Sequence, residues 1–429
     1  MTKSKLEIVY DKLLKQVVMM EGKMLTIPNF MDKDDYLQNH VMRYFLKIHK
    51  LDFVENRADY IQAVQQYANK SWENEEETRK WLLQIVREGS KEFCYKKVHG
   101  IQEIYRNPDV LKKKLQLLYP NCPMKDILSY KNTYERELIN YEIFADEQGE
   151  VELVSFTFSR IVLTGENGHE GQETIFPLFV DVYMKEGFLI SRAKAKSTIY
   201  SYTESKLLLT ENHIDSLDYA YSAMKKIIQD FGWENEEDKK RVKTANSKML
   251  YNLYKEFSIT PQEVVNNVDS VKGISNSYID AIFSDLGLNI RNKEKARIDL
   301  AIFVEKYISI NGHNEDVFKK GRDAYLVKVG TDDEQELTKI DTSSYKTKPL
   351  QCTEAFFDSK KSIIKSKSCN KLNLCFKRTD ARTNTTYFGN MPICVQFSTK
   401  KTYGVFKTAQ YAEEADISNV IQTIFRNYR

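Results

Sequence analysis

The sequence predicts an α+β protein built in alternating blocks: a helical N-terminal region, a central antiparallel sheet, a second helical region and a basic α+β C-terminal domain. Three observations predict it. Apolar residues recur at helical spacing over 1–128 and again over 211–310, the period switches to two over 134–203, and cations concentrate among short alternating runs after residue 345. The corresponding domains are 1–128, 129–210, 211–320 and 321–429.

In the first block, "DKDDYLQNHVMRYFLKIHKL" places Tyr36, Val41, Tyr44, Phe45 and Ile48 on one helical face. "ENEEETRKWLLQIVREGSKEF" opens with acids, which suit the positive end of a helix dipole, and sets Trp81, Ile85 and Phe93 at helical spacing. Asn107 then caps a helix whose first residue is Pro108, and Pro120 and Pro123 follow its end.

From residue 134 the alternation points to four strands. Two flank "DEQG", with Gly149 free to take positive φ, and two flank "KEG"; the loop "TGENGHEGQE" joins the pairs. The last of these strands is "ISRAKAKSTIYSY". Helices resume in "HIDSLDYAYSAMKKIIQDFGW" and "EEDKKRVKTANSKMLYNLYKEF", followed by shorter ones to residue 310. Beyond "NGHNED", strands are expected at "AYLVKVG", "QELTKID", "LNLCFKR", "PICVQFS" and "YGVFKT", and a final helix presents Ile417, Val420, Ile421, Ile424 and Phe425 on one face.

Composition sets the class. With 429 residues, 41% hydrophobic and 29% charged, the chain suits a soluble protein of two or three domains. It has no run of about 18 apolar residues, so no membrane span is expected. Charges interrupt "MTKSKLEIVYDKLLKQ" where a signal peptide needs an apolar core, and the six cysteines show no CxxC spacing. A cytoplasmic protein with reduced thiols is the resulting expectation.

The net charge of +3 hides a local excess. Residues 345–407 hold 13 Lys or Arg against Glu354, Asp358 and Asp380. Such a block suits a polyanion, because neutralising phosphates releases counterions. Its candidate contacts are Lys360, Lys361, Lys365, Lys367, Lys371, Lys377, Arg378, Lys400 and Lys401, with Lys407 nearby and Phe376, Tyr387, Phe388, Phe397, Tyr403 and Phe406 interleaved for stacking. On the strand at 190–202, Arg192, Lys194, Lys196 and Tyr200 share one face at strand periodicity and form a second candidate track. Set against both tracks is the plainer reading of a solvated sheet face whose lysines pair with neighbouring acids.

Other chemistries are less well supplied. "TPQEVVNNVDSVKGISNSYIDAIFSDLG" has a helix-turn-helix outline around Gly273, but its second helix offers Asp280 and Asp285 where DNA would need cations. His169, Glu170 and Glu173 cluster on the glycine-rich loop without a zinc or calcium spacing. Asp181 stands inside the apolar run "FPLFVDVYM", where a carboxylate either pairs or works. With Glu173 and Lys194 it sketches a metal-dependent nuclease, although the Glu-x-Lys spacing is missing, and a salt bridge from Asp181 to Arg192 or Lys194 is the simpler account. Nucleotide-binding P-loop, dinucleotide-binding and nucleophile-elbow motifs are absent from the sequence, and no cofactor is implied.

The expected function is therefore that of a non-catalytic nucleic-acid-binding protein. It would be directed at the phosphate backbone, favour double-stranded DNA over RNA, and act with a protein partner in a larger assembly. A protein-interaction scaffold and a nuclease centred on Asp181 are the alternatives.

Overall fold

The computed structural model describes residues 25–33, 36–164, 172–196, 199–201, 213–234, 236–311, 315–332, 339–343, 347–378 and 391–428. The chain is α+β and divides into two compact units. Of the described residues, the first unit holds those up to Glu234 together with Tyr411–Asp416, and the second holds the remainder.

The first unit opens with helices α1 (Asn29–Lys33), α2 (Asn39–Ile48), α3 (Arg57–Ala68) and α4 (Trp72–Arg87). Asn56 and Ser71 accept hydrogen bonds from the backbone N–H groups of Asp59 and Asn74, capping α3 and α4 at donors that would otherwise go unmet. Phe45, Leu46, Tyr60, Leu82 and Ile85 interlock in one core. Here the helical reading stops short. Helix α4 ends at Arg87, and Phe93 lies instead on strand β1 (Lys91–Lys97). This strand is buried on both faces over most of its length, so it lacks the alternation that marks a half-exposed strand. Helix α5 (Pro108–Leu118) begins as expected, with Asn107 accepting from the N–H groups of Asp109 and Val110.

Both expected hairpins form. β2 (Glu137–Ala145) pairs with β3 (Val151–Ser159), and Gly149 takes φ +79° in the turn between them. β6 (Leu178–Tyr183) pairs with β7 (Phe188–Lys194), and β3 joins the two hairpins through β6. β1 adds to β7, giving the antiparallel order β1-β7-β6-β3-β2. The stretch 190–202 is not a single strand. β7 ends at Lys194, while β8 (Ile199–Tyr200) belongs to a second, small sheet with β4 (Ile161–Thr164), β5 (Gln172–Ile175) and β9 (His213–Ile214). Helix α6 (Ser216–Phe231) packs across β1, β6 and β7 through Leu217, Ala220, Met224 and Ile227.

The second unit begins with helices α7 (Glu236–Phe257), α8 (Gln262–Ser270), α9 (Lys272–Asp285) and α10 (Lys293–Asn311). Gly273 falls inside α9 rather than in a turn, and the break from α8 comes at Val271. After α11 (Glu315–Lys319), the five runs expected as strands appear as β10 (Ala324–Asp332), β11 (Lys339–Ser343), β12 (Lys371–Phe376), β13 (Ile393–Thr399) and β14 (Gly404–Thr408). Their order is β11-β10-β12-β13-β14, antiparallel throughout. Helix α12 (Glu354–Ser366) lies in sequence between β11 and β12, and α13 (Glu414–Asn427) is the final helix. Helix α7 packs against β10, β12 and β13, with Phe257 edge-on to Phe376 at 6.3 Å. Among the described residues no helix is long and apolar enough to cross a membrane.

One expectation about the cysteines is overturned. Cys375 and Cys394 face each other directly across β12 and β13 and form a disulfide, while Cys94, Cys122, Cys352 and Cys369 are free. Their separation of 19 residues hides a pairing that only the strand register creates.

Candidate nucleic-acid interface

Strand β12 reads Lys-Leu-Asn-Leu-Cys-Phe, and the alternation divides it between two environments. Leu372, Leu374 and Phe376 point to the core, where Phe376 meets Phe397 and Phe397 meets Phe406. Lys371, Asn373 and Cys375 point the other way. On that second face the register builds a row across four strands: Lys328 stands opposite Asn373, Asn373 opposite Gln396, and Gln396 opposite Lys407. Lys371 stands opposite Ser398 in the neighbouring row. Among the described residues, these six and Phe397 line an open pocket of about 320 Å³. Three strand spacings of about 4.8 Å put Lys328 and Lys407 on strands roughly 14 Å apart. The arrangement offers three ammonium groups and two amides to a ligand rich in acceptors and negative charge.

Of the residues expected from sequence, Lys371 belongs to this groove. Lys328, Asn373, Gln396 and Ser398 were missed, although the alternation in "LNLCF" and "CVQFS" carries the signal for three of them. Lys377, Lys400 and Lys401 are exposed beside the strand ends, and Arg378 donates from Nε to the Met391 carbonyl. Lys365 occupies the last turn of α12 and Lys367 caps it in the left-handed conformation, where cations complement the dipole. Lys360 and Lys361 behave otherwise. They reach across to α10, Lys360 to Glu305 at 3.1 Å and Lys361 to Asp299 at 2.5 Å. Of the interleaved aromatics, Phe376, Phe397, Tyr403 and Phe406 are buried, while Tyr387 and Phe388 lie outside the described residues.

The other candidate track lies in the first unit and is built differently. Arg192 is not a surface cation: its side chain is 2% exposed and donates to Asp181 at 2.7 Å and to Glu414 at 2.5 Å. Arg87 on α4 donates to Asp181 as well, and also to Glu414 and the Ser155 hydroxyl. Burial alone would push the Asp181 carboxyl up, but Arg87 and Arg192 outweigh it and hold the group well below the usual carboxylate range. Burial pushes the Lys91 ammonium well down, and the like charges of Lys194 and Arg192 push it further. Lys91 and Lys194 both sit over the Tyr36 ring, at 4.4 and 4.5 Å from its centroid. Lys196 follows the end of β7 half-buried, and Tyr200 sits half-buried on β8 in the small sheet. Glu173, on β5, accepts from the Tyr134 hydroxyl, while His169 and Glu170 lie outside the described residues.

Compared with known proteins, the chain matches no family model, no curated protein and no solved structure.

Proposed function

We propose that the protein binds nucleic acid through its sugar–phosphate backbone, using the lysine-lined groove of the second unit, and favours double-stranded DNA. The observation that carries this reading is the in-register row Lys328–Asn373–Gln396–Lys407 with Lys371 beside it. Three cations held on rigid strands lose less conformational freedom on binding than three on a loop, and each phosphate they neutralise releases a counterion. Among the described residues, the buried Phe376, Phe397, Tyr403 and Phe406 favour the charge-bearing backbone over stacked bases as the recognised element. Sequence-independent binding follows, because the groove holds no arginine fork for a base edge.

Binding of a labelled duplex over a salt series tests the proposal. Replacing Lys328, Lys371 and Lys407 together by Gln should flatten the dependence of log K on log salt by about 2–3, the slope expected from losing three phosphate contacts. Lys360→Gln/Lys361→Gln should leave the slope nearly unchanged, since both lysines already pair with carboxylates on α10. An unaltered slope in the triple variant, or no duplex binding by the natural chain at low salt, would sink the reading.

A further inference from the structure

The face that carries the groove can be followed pair by pair along β12 and β13. To one side of Asn373 and Gln396, about 6.6 Å away at two residues per repeat, stand Cys375 and Cys394. Tyr325 stands opposite Cys375 on β10. Tyr325, Val327 and Cys375 are buried and pack together with Cys394, and the Lys319 ammonium of α11 lies 5.7 Å from the centre of the Tyr325 ring. On this side the face is covered and apolar. To the other side stand Lys371, which is exposed, and Ser398, which is half-buried. β12 begins there, and the turn that follows β13 carries Lys400 and Lys401, both exposed. The groove is thus shut on one side and bordered by cations on the other.

Within it, Lys328, Lys371 and Lys407 share one pocket of about 320 Å³ with Asn373, Gln396 and Ser398. Among the described residues, the side chains of Lys371, Asn373, Gln396 and Ser398 make no hydrogen bond or ion pair inside the chain. An internal phosphodiester carries one negative charge and continues on both sides, so a strand lying in a groove must leave it at both ends. A terminal phosphomonoester differs twice. It carries about 1.5–2 negative charges at neutral pH with three acceptor oxygens, and the strand leaves it on one side only. With the first diester behind it, such an end brings nearly as much negative charge as three ammonium groups can balance. The two amides and the hydroxyl add neutral donors for its oxygens.

We propose, resting on the nucleic-acid reading above, that the groove is a pocket for a phosphorylated strand end. The terminal phosphate sits among Lys328, Lys371, Lys407 and the amides of Asn373 and Gln396, and the strand runs out past Lys400 and Lys401. The covered wall at Tyr325, Val327 and Cys375 is the stop that prevents the strand from running through. Charge and donors fit a 5′- or a 3′-phosphate alike, and the experiment separates the two.

Competition at fixed salt, read by fluorescence anisotropy on the full chain, tests this. A labelled duplex is displaced by four unlabelled forms of one sequence: 5′-phosphorylated, 3′-phosphorylated, hydroxyl-ended, and a covalently closed circle without ends. One phosphorylated form should compete about tenfold better than the hydroxyl-ended form, the factor expected from one charge-assisted contact. The circle should compete no better than the hydroxyl-ended form. Lys371→Gln/Gln396→Leu should erase that ratio. Both side chains are exposed, so this variant should keep its circular dichroism spectrum and unfolding midpoint. Lys400→Gln/Lys401→Gln should weaken all four forms together and preserve the ratio. Equal competition by all four forms, with steep salt dependence intact, would overturn the end pocket and leave backbone binding standing. A labelled duplex that fails to bind at low salt would overturn both. A nucleoside monophosphate that competes as well as the phosphorylated duplex would overturn the end pocket in favour of a small-ligand site.

Discussion

Asp181 is a buried carboxylate of the first unit held between two arginines. One oxygen accepts from Arg87 and Ser155 and the other from Arg87 and Arg192, so each carries two donors and neither faces solvent. A divalent cation would have to displace a guanidinium to reach it, which weighs against Asp181 as the centre of a nuclease. Its role is to neutralise two arginines that burial would otherwise leave stranded. Asp181→Asn should therefore cost about 3–5 kcal/mol, read as a lower urea midpoint at neutral pH. The sign of the pH dependence follows from the depressed carboxyl. The stability it contributes is full above about pH 4, where the unfolded carboxyl ionises, and drains away as acid approaches its folded value. The natural chain should lose stability more steeply than Asp181→Asn below pH 4. Equal slopes would show that the depression is not felt in solution. An apolar run interrupted by one acid made this pairing legible in the sequence. Glu414 was not legible, because it joins the cluster from 222 residues beyond Arg192.

At the scale of elements, the fold was readable wherever one face of a strand is dry and the other is not. β12 and β13 alternate over most of their length, whereas β6 and β7 are buried on both faces and were legible from the "KEG" turn between them. The sequence of β1 continues the helical spacing of α4, because a strand covered on both faces has no wet side to set a period of two. For the same reason the cations of β7 were assigned to solvent. Alternation fixes which residues share a face but not whether that face is covered. The groove was half readable: its strands were expected, but the register aligning Lys328 with Lys407 comes from pairing across four strands far apart in sequence. That register also sets Cys375 against Cys394, which tie β12 to β13. Closing this loop should be worth about 3 kcal/mol. Adding a thiol reductant should lower the urea midpoint of the natural chain, whereas Cys375→Ala/Cys394→Ala should already be low and indifferent to reductant. A natural chain that ignores reductant would mean that the two thiols stay open.

For the whole molecule, a net charge of +3 conceals 13 Lys or Arg against three acids over residues 345–407. If that block meets a polyanion, duplex binding should weaken steeply with salt although the chain as a whole is close to neutral. A duplex affinity indifferent to salt, measured by fluorescence anisotropy, would mean that the local excess is not what binds.

Glu414 also has a consequence for the order in which the chain is made. Arg87, Asp181 and Arg192 leave the ribosome early, two cations against one anion, while the second carboxylate of the cluster follows 222 residues after Arg192. At 5–20 residues per second that gap lasts roughly 10–45 s. Through that interval the nascent first unit holds its arginines short of one counter-charge. A chain cut before Glu414 should therefore hold its first unit less firmly than the full chain does.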